Sequence, residues 1–170
     1  MYSKVKVLGH PVHPMLVAYP IALYTATLVS YVVFVLWGHG DYAWMKLAIA
    51  ANVGGVAMAA VAAVPGLVDW ATGIPAGSPA RRHGLVHLAL NVAALVLFLI
   101  DALLHVGDWQ QTNHPHTAAG VILAALGVLC TIGAGFFGWT MVQTDGVGVD
   151  LSPAGTRVER AARESGSRSR

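Results

Sequence analysis

Four apolar runs divide the chain: Met15–Trp37, Leu47–Val68, Gly84–Leu104 and Thr117–Val142. A bilayer core of roughly 30 Å needs about 20 helical residues, and each run is long enough to cross it. The first, second and fourth contain no acidic, basic or histidine side chain. The third contains His87 and Asp101, so it reads as amphipathic. Around it, His83, His87, Asn91, Ala94, Phe98, Asp101 and His105 follow one another at intervals of three or four residues. That spacing places them on one helical face. Exposing such a stripe to lipid would cost on the order of several kcal/mol per unsatisfied group, so it is predicted to look into the bundle. His87 and His105 then lie about 27 Å apart along the axis. The pattern predicts an all-α protein: a four-helix transmembrane bundle over residues 8–142, followed by a flexible basic tail over residues 143–170. The first run is too long for a signal peptide, whose apolar core spans about 7–15 residues.

Composition agrees with this reading. Hydrophobic residues make up 56% of the chain and charged residues 11%, against roughly 25% charged in an ordinary soluble domain. Lipid must therefore cover much of the surface. Lys4, Lys6, Arg81, Arg82 and the tail residues Arg157, Arg160, Arg163, Arg168 and Arg170 fall on one side of the predicted topology. The other side carries only Lys46. The positive-inside rule then puts both termini in the cytoplasm. Trp37, Tyr42, Trp44 and Trp109 mark the outer interface, and Trp70 the inner one. The tail from Leu151 to Arg170 is rich in Ser, Gly and Arg and is expected to be disordered, with its arginines in reach of anionic headgroups. Cys130 has no partner, which excludes a disulfide framework, and reads as a small buried hydrophobe. Gly40-Asp41-Tyr42 and Gly107-Asp108-Trp109 echo one another in the two outer loops, a hint of a two-plus-two arrangement that is too short to define a repeat.

Three segments at the inner face carry candidate chemistry. In Gly9-His10-Pro11-Val12-His13-Pro14, both histidines precede proline and are pushed away from helical angles. Pro14 is predicted as the first helical residue, with His13 at or near the cap. Pro20 removes a backbone donor, frees the carbonyl of Leu16 and should bend the first helix beside the histidines. In Pro65-Gly66-Leu67-Val68-Asp69-Trp70, Asp69 either pairs with Arg81 or Arg82 or accepts a hydrogen bond that orients a histidine. Arg81-Arg82-His83-Gly84-Leu85-Val86-His87 leads on to Asn91. Four imidazoles at one depth suggest a cofactor. Heme b clamped between two helices is the preferred reading, with His13 and His87 as ligands and His10, His83, Asp69 and Asn91 as alternates or supports. The small residues around Ala50–Gly55 and Ala57–Ala60 would leave room. Copper or zinc is the alternative ligand. The contrasting reading is a structural or accessory subunit without cofactor, whose polar stripe serves packing or partner binding. No nucleophile–base pair, phosphate loop or paired carboxylates support an enzymatic role. The outer histidines His39, His105, His114 and His116 receive no assigned role.

The segment Gly9-His10-Pro11-Val12-His13-Pro14-Met15-Leu16-Val17-Ala18-Tyr19-Pro20-Ile21 resembles the opening signature of a bacterial membrane family, domain of unknown function 2231. Gly66-Leu67-Val68-Asp69 and Arg82-His83-Gly84-Leu85-Val86-His87 match its later landmarks, so the resemblance covers about residues 8–142. Tyr19 stands where the signature has phenylalanine. The resemblance implies a four-helix protein of the bacterial inner (cytoplasmic) membrane with no established activity. Some relatives are joined to Rieske-type redox domains, which by association favours redox work. This chain carries no such domain and no Cys-x-x-Cys-His for covalent heme. The expected partners are the lipid bilayer and either a redox protein or a second copy of the chain; nucleic acid is not expected among them.

Overall fold

The structure is a computed structural model that describes residues 3–37, 42–111 and 116–149. The predicted disorder of the tail from Leu151 to Arg170, and the histidines His39 and His114, lie outside the described residues. The chain enters through a hairpin, β1 (Lys6–Val7) pairing antiparallel with β2 (His10–Pro11). Its two-residue turn has Leu8 at φ 50° and Gly9 at φ 83°, the double positive φ that matches strand twist in tight hairpins. Five α-helices follow: α1 (Val12–Leu16), α2 (Ala18–Leu36), α3 (Ala43–Gly73), α4 (Pro79–His105) and α5 (Thr117–Gln143). A 3₁₀ turn, Val106–Gln110, follows α4. Because α1 and α2 form one span, the described residues contain four helices long and apolar enough to cross a membrane.

The first span starts two residues earlier than predicted. Helix α1 begins at Val12 with Pro11 at the cap, so His13 lies near the cap, in the first turn. Pro14 is tolerated there because the first turn has no backbone acceptor for its missing N–H. The amide of Val12 is instead tied back to the Val5 carbonyl at 3.1 Å. The helix is interrupted at Val17, between α1 and α2, although Val17 keeps right-handed helical angles and its amide still bonds the His13 carbonyl at 3.1 Å. Pro20 cannot donate to the Leu16 carbonyl, and its ring crowds that turn. At the start of α4, Ser78 accepts from the Arg81 amide at 3.2 Å and Pro79 takes the first helical position, a regular N-terminal stop.

Helix α2 packs chiefly on α3 and α4 on α5, and contacts of α2 with α5 and of α3 with α4 join the two pairs. Helices α2 and α4 therefore face each other across the diagonal. The molecule is apolar outward. Leu103, Val64, Leu129, Ile132, Phe136 and Trp139 are all exposed, which in lipid needs no further cover. A narrow column of rings runs along the axis, buried at Tyr24, Phe98, Tyr31 and His105 and half-buried at His13 and His87. His13 meets His87 with ring centroids 6.2 Å apart, Tyr24 stacks on Phe98 at 3.7 Å, and Tyr31 meets His105 at 5.4 Å.

Each of these pairs joins residues 74 apart in sequence, one from the first span and one from the third. The second and fourth spans supply the space. A Cβ on Gly55 or Gly66 of α3 would come within 2.8 or 2.7 Å of Tyr24 or His13. On α5, a Cβ on Gly120, Gly127 or Gly138 would come within 2.8, 2.5 or 3.2 Å of Tyr31, Phe98 or His87. Gly55 and Gly127 are 72 apart, as are Gly66 and Gly138. The bundle is thus two helical hairpins in parallel, related by an approximate two-fold axis along its length, the parallel kind of internal repeat. The two-plus-two arrangement hinted at in the outer loops is written in the axial residues.

Candidate functional site

Two polar levels lie on this axis. At the inner level, the carbonyl of Ala62 on α3 accepts from His13 Nδ1 at 2.8 Å. The carbonyl of Ala134 on α5 accepts from His87 Nδ1 at 2.7 Å. In each case the imidazole rests on the glycine one turn further along that helix, Gly66 or Gly138. A carbonyl can only accept, so Nδ1 carries the proton and Nε2 keeps its lone pair. His87 Nε2 accepts from the Asn91 amide at 3.1 Å, and the same amide bonds the His87 carbonyl at 2.8 Å. Among the described residues, His13 Nε2 has no hydrogen-bond partner. The two imidazoles stand nearly perpendicular, at 87°.

The other expected members of this cluster are placed elsewhere. His10 sits exposed on the hairpin, with Nδ1 at 3.0 Å from the Leu8 carbonyl. His83 pairs with Asp145 at 2.8 Å, just beyond the fourth span. Asp69 binds neither a histidine nor an arginine. It accepts from Ser3 Oγ at 2.6 Å and from the amides of Lys4 and Val5 at 2.6 and 3.1 Å, clamping the N-terminal arm to the end of α3. Arg81 lies over the Trp70 ring at 3.9 Å and donates to the carbonyls of Trp70, Ala71 and Ile74 at 2.5, 3.3 and 3.1 Å. A cation there complements the negative end of the helix dipole. The four imidazoles expected at one depth thus resolve into one pair and two separately bonded rings. No group of three or more His, Cys, Asp or Glu residues suited to a metal ion occurs among the described residues.

The outer level draws on three helices. Asp101 of α4 is fully buried, as the stripe predicted. Its carboxylate accepts from Tyr31 of α2 at 3.2 and 3.3 Å and from the Asn52 amide of α3 at 2.6 Å. His105 Nδ1 is 2.9 Å from its Oδ1 and 3.0 Å from the Asp101 carbonyl. Tyr31 and Asn52 were not singled out from sequence. Asn52 carried a signal, being the only polar side chain in Leu47–Val68; Tyr31, among several aromatics, carried none.

A family model described as "Predicted membrane protein (DUF2231)" matches residues 9–151. The chain belongs to this family. No curated protein and no solved structure matches the chain. For DUF2231 the match fixes the character of an integral membrane protein. It also spans both axial levels, from the hairpin through His13 and His87 to the Asp101 cluster and Asp145.

Proposed function

We propose that this DUF2231 protein is a heme b-binding redox module of the bacterial inner membrane, with His13 and His87 as the axial ligands. One observation carries the reading. Both imidazoles donate Nδ1–H to a backbone carbonyl, which in the neutral ring leaves Nε2 as the nitrogen able to bind a metal. Ligating histidines characteristically have their other nitrogen held this way. Two such nitrogens match the two axial positions of a six-coordinate heme. Zinc takes four ligands in closed sites and at least three protein ligands in open ones, and His13 and His87 supply two, so zinc is less well supported; copper stands as the alternative metal. The approximate two-fold axis runs between the rings and offers a bound iron equivalent donors from the two halves. The Asn91 amide bonded to His87 Nε2 would have to turn aside. When bound, a heme would supply one-electron chemistry, exchanged with a redox partner protein or a second copy of the chain. The bias of lysine and arginine toward the termini supports a cytoplasmic location for the inner level.

The test is the visible spectrum of the protein purified after expression with added heme precursor. The expected result is a Soret band and a reducible α-band. His87→Ala should abolish or convert both, and His13→Ala should do the same. His105→Ala, about 27 Å away along the helix, should leave them unchanged. A colourless protein would sink the heme reading. Metal analysis of that sample would then separate a copper or zinc site from a structural or accessory subunit in which the pair serves only to lock the spans.

A further inference from the structure

The outer level contains an anomaly that packing does not explain. His105 is fully buried, and its Nδ1 faces two acceptors, so the proton on that nitrogen is fixed. Its Nε2 is buried with no hydrogen-bond partner among the described residues. An unsatisfied ring nitrogen costs free energy at any depth, and more in a low-dielectric setting. Beside it, Asp101 holds three donors, from Tyr31, Asn52 and His105. All three partners are donors, so neither carboxylate oxygen faces an acceptor. Such a group within a membrane span calls for a compensating positive charge, and ionisable groups at membrane depth are characteristic of proton relays. The compensating charge with a place to sit is a proton on His105 Nε2.

That proton also has a route. His116, at the start of α5, is exposed, and its ring centroid lies 6.4 Å from that of His105. The two rings make no direct hydrogen bond to one another, so a proton passes between them through water. We propose that Asp101 and His105 form a buried proton-holding site that exchanges its proton, by way of water and His116, with the aqueous face opposite the chain ends. In loading, a hydronium ion at His116 passes a proton through the bridging water. One O–H bond breaks, an N–H bond forms at Nε2, and the imidazolium charge is balanced by the Asp101 carboxylate. Unloading is the reverse, to water. The groups facing this site are Asp101 on α4, Tyr31 on α2, Asp108 in the 3₁₀ turn and His116 leading into α5. From α3, Asn52 contributes an uncharged amide, and Lys46 lies further out over Trp109.

The experiment is nitrogen-15 NMR of the full chain in nanodiscs with labelled histidine. Wild-type protein near neutral pH is expected to show both ring nitrogens of His105 protonated, and Asp101→Asn only one. His116→Ala, a change at an exposed position, should keep the wild-type spectrum of His105 and slow exchange of its Nε2 proton with water several-fold. Should Asp101→Asn fail to fold, Tyr31→Phe, which keeps the carboxylate, must retain the doubly protonated ring. A bare Nε2 in wild type across the neutral range would overturn the proposal, leaving the cluster as a helix lock. So would a doubly protonated ring in Asp101→Asn, or exchange indifferent to His116→Ala.

Discussion

The inner and outer ends of the axis are built on the same plan and treat it differently. At the inner end the two halves match. His13 and His87 are equivalent residues making equivalent bonds, to Ala62 and Ala134, over equivalent glycines. At the outer end the halves have diverged. The counterpart of Asp101 is Thr27, that of His105 is Tyr31, and that of Asn52 is Ala124. Thr27 returns its hydroxyl to the Leu23 carbonyl of its own helix at 2.9 Å, whereas Asp101 draws donors from α2, α3 and α4. A matched pair of donors suits one ligand shared on the axis. A one-sided cluster of acid and base suits a charge that enters from one face. The difference teaches where function departs from framework: a two-helix plan repeated in parallel supplies the column, and the residues that break the repeat supply the polarity.

The largest effect should come from testing equivalent positions at the divergent end. Asp101→Ala would leave the Tyr31 hydroxyl and the Asn52 amide without their acceptor inside the bundle, and His105 Nδ1–H with only the backbone carbonyl of residue 101. Breaking a buried charged network from one side costs about 3–5 kcal/mol. Thr27→Ala removes a bond within one helix and should cost about 1 kcal/mol or less. Thermal unfolding in detergent, followed by helical circular dichroism, measures both. Equal losses would show that the outer cluster contributes no more than its framework counterpart.

Next in size is the glycine column. A Cβ at Gly127 would come within 2.5 Å of the Phe98 ring, and one at Gly135 meets nothing within 4 Å. Gly127→Ala should therefore destabilise by about 1–3 kcal/mol, the usual cost of overpacking. Gly135→Ala should be neutral or slightly stabilising, since alanine is the better helix former. The same detergent unfolding assay distinguishes them. A neutral Gly127→Ala would mean that Phe98 moves aside freely and that the ring column is loosely packed.

These contrasts also mark how far the sequence could be read. The four spans were legible to within a few residues because lipid demands long apolar runs. The inward turn of Asp101 and His105 was legible because helical periodicity fixes faces. The partners of those faces were not, since periodicity within one helix says nothing about its height against the next. Asn52 and Tyr31 therefore stayed unread. The acceptors for His13 and His87 are backbone carbonyls, which carry no sequence signal at all. A shared end of the bundle does not by itself bring the rings of His10 and His83 to those of His13 and His87. The hairpin turn at Leu8-Gly9 carries His10 outward, and Asp145 engages His83. The repeat showed in sequence only as a short echo in the outer loops, because its identical positions, such as His13 and His87 or Gly66 and Gly138, are isolated among residues that differ.

The smallest effect is expected where the halves differ in backbone rather than in side chain. Pro20 of the first span corresponds to Ala94 of the third, and Ala94 lies within the unbroken helix α4. Pro20→Ala would give the first span the same character, restoring a donor to the Leu16 carbonyl and merging α1 with α2. Overall stability should change by no more than about 1 kcal/mol. The new bond gains a little, while loss of the buried proline ring sacrifices packing, Pro20 being buried against the bundle. The informative readout is local. Straightening at Val17 swings α1, and with it the His13 ring, relative to Ala62 and Gly66, because that ring is carried on the short helix before the break. The labelled-histidine spectrum should thus show the His13 Nδ1–H resonance shifted and its exchange with water faster, with His87 nearly unchanged. A His13 resonance identical to wild type would show that the hairpin clamp at Asp69, rather than the interruption at Val17, positions the first imidazole.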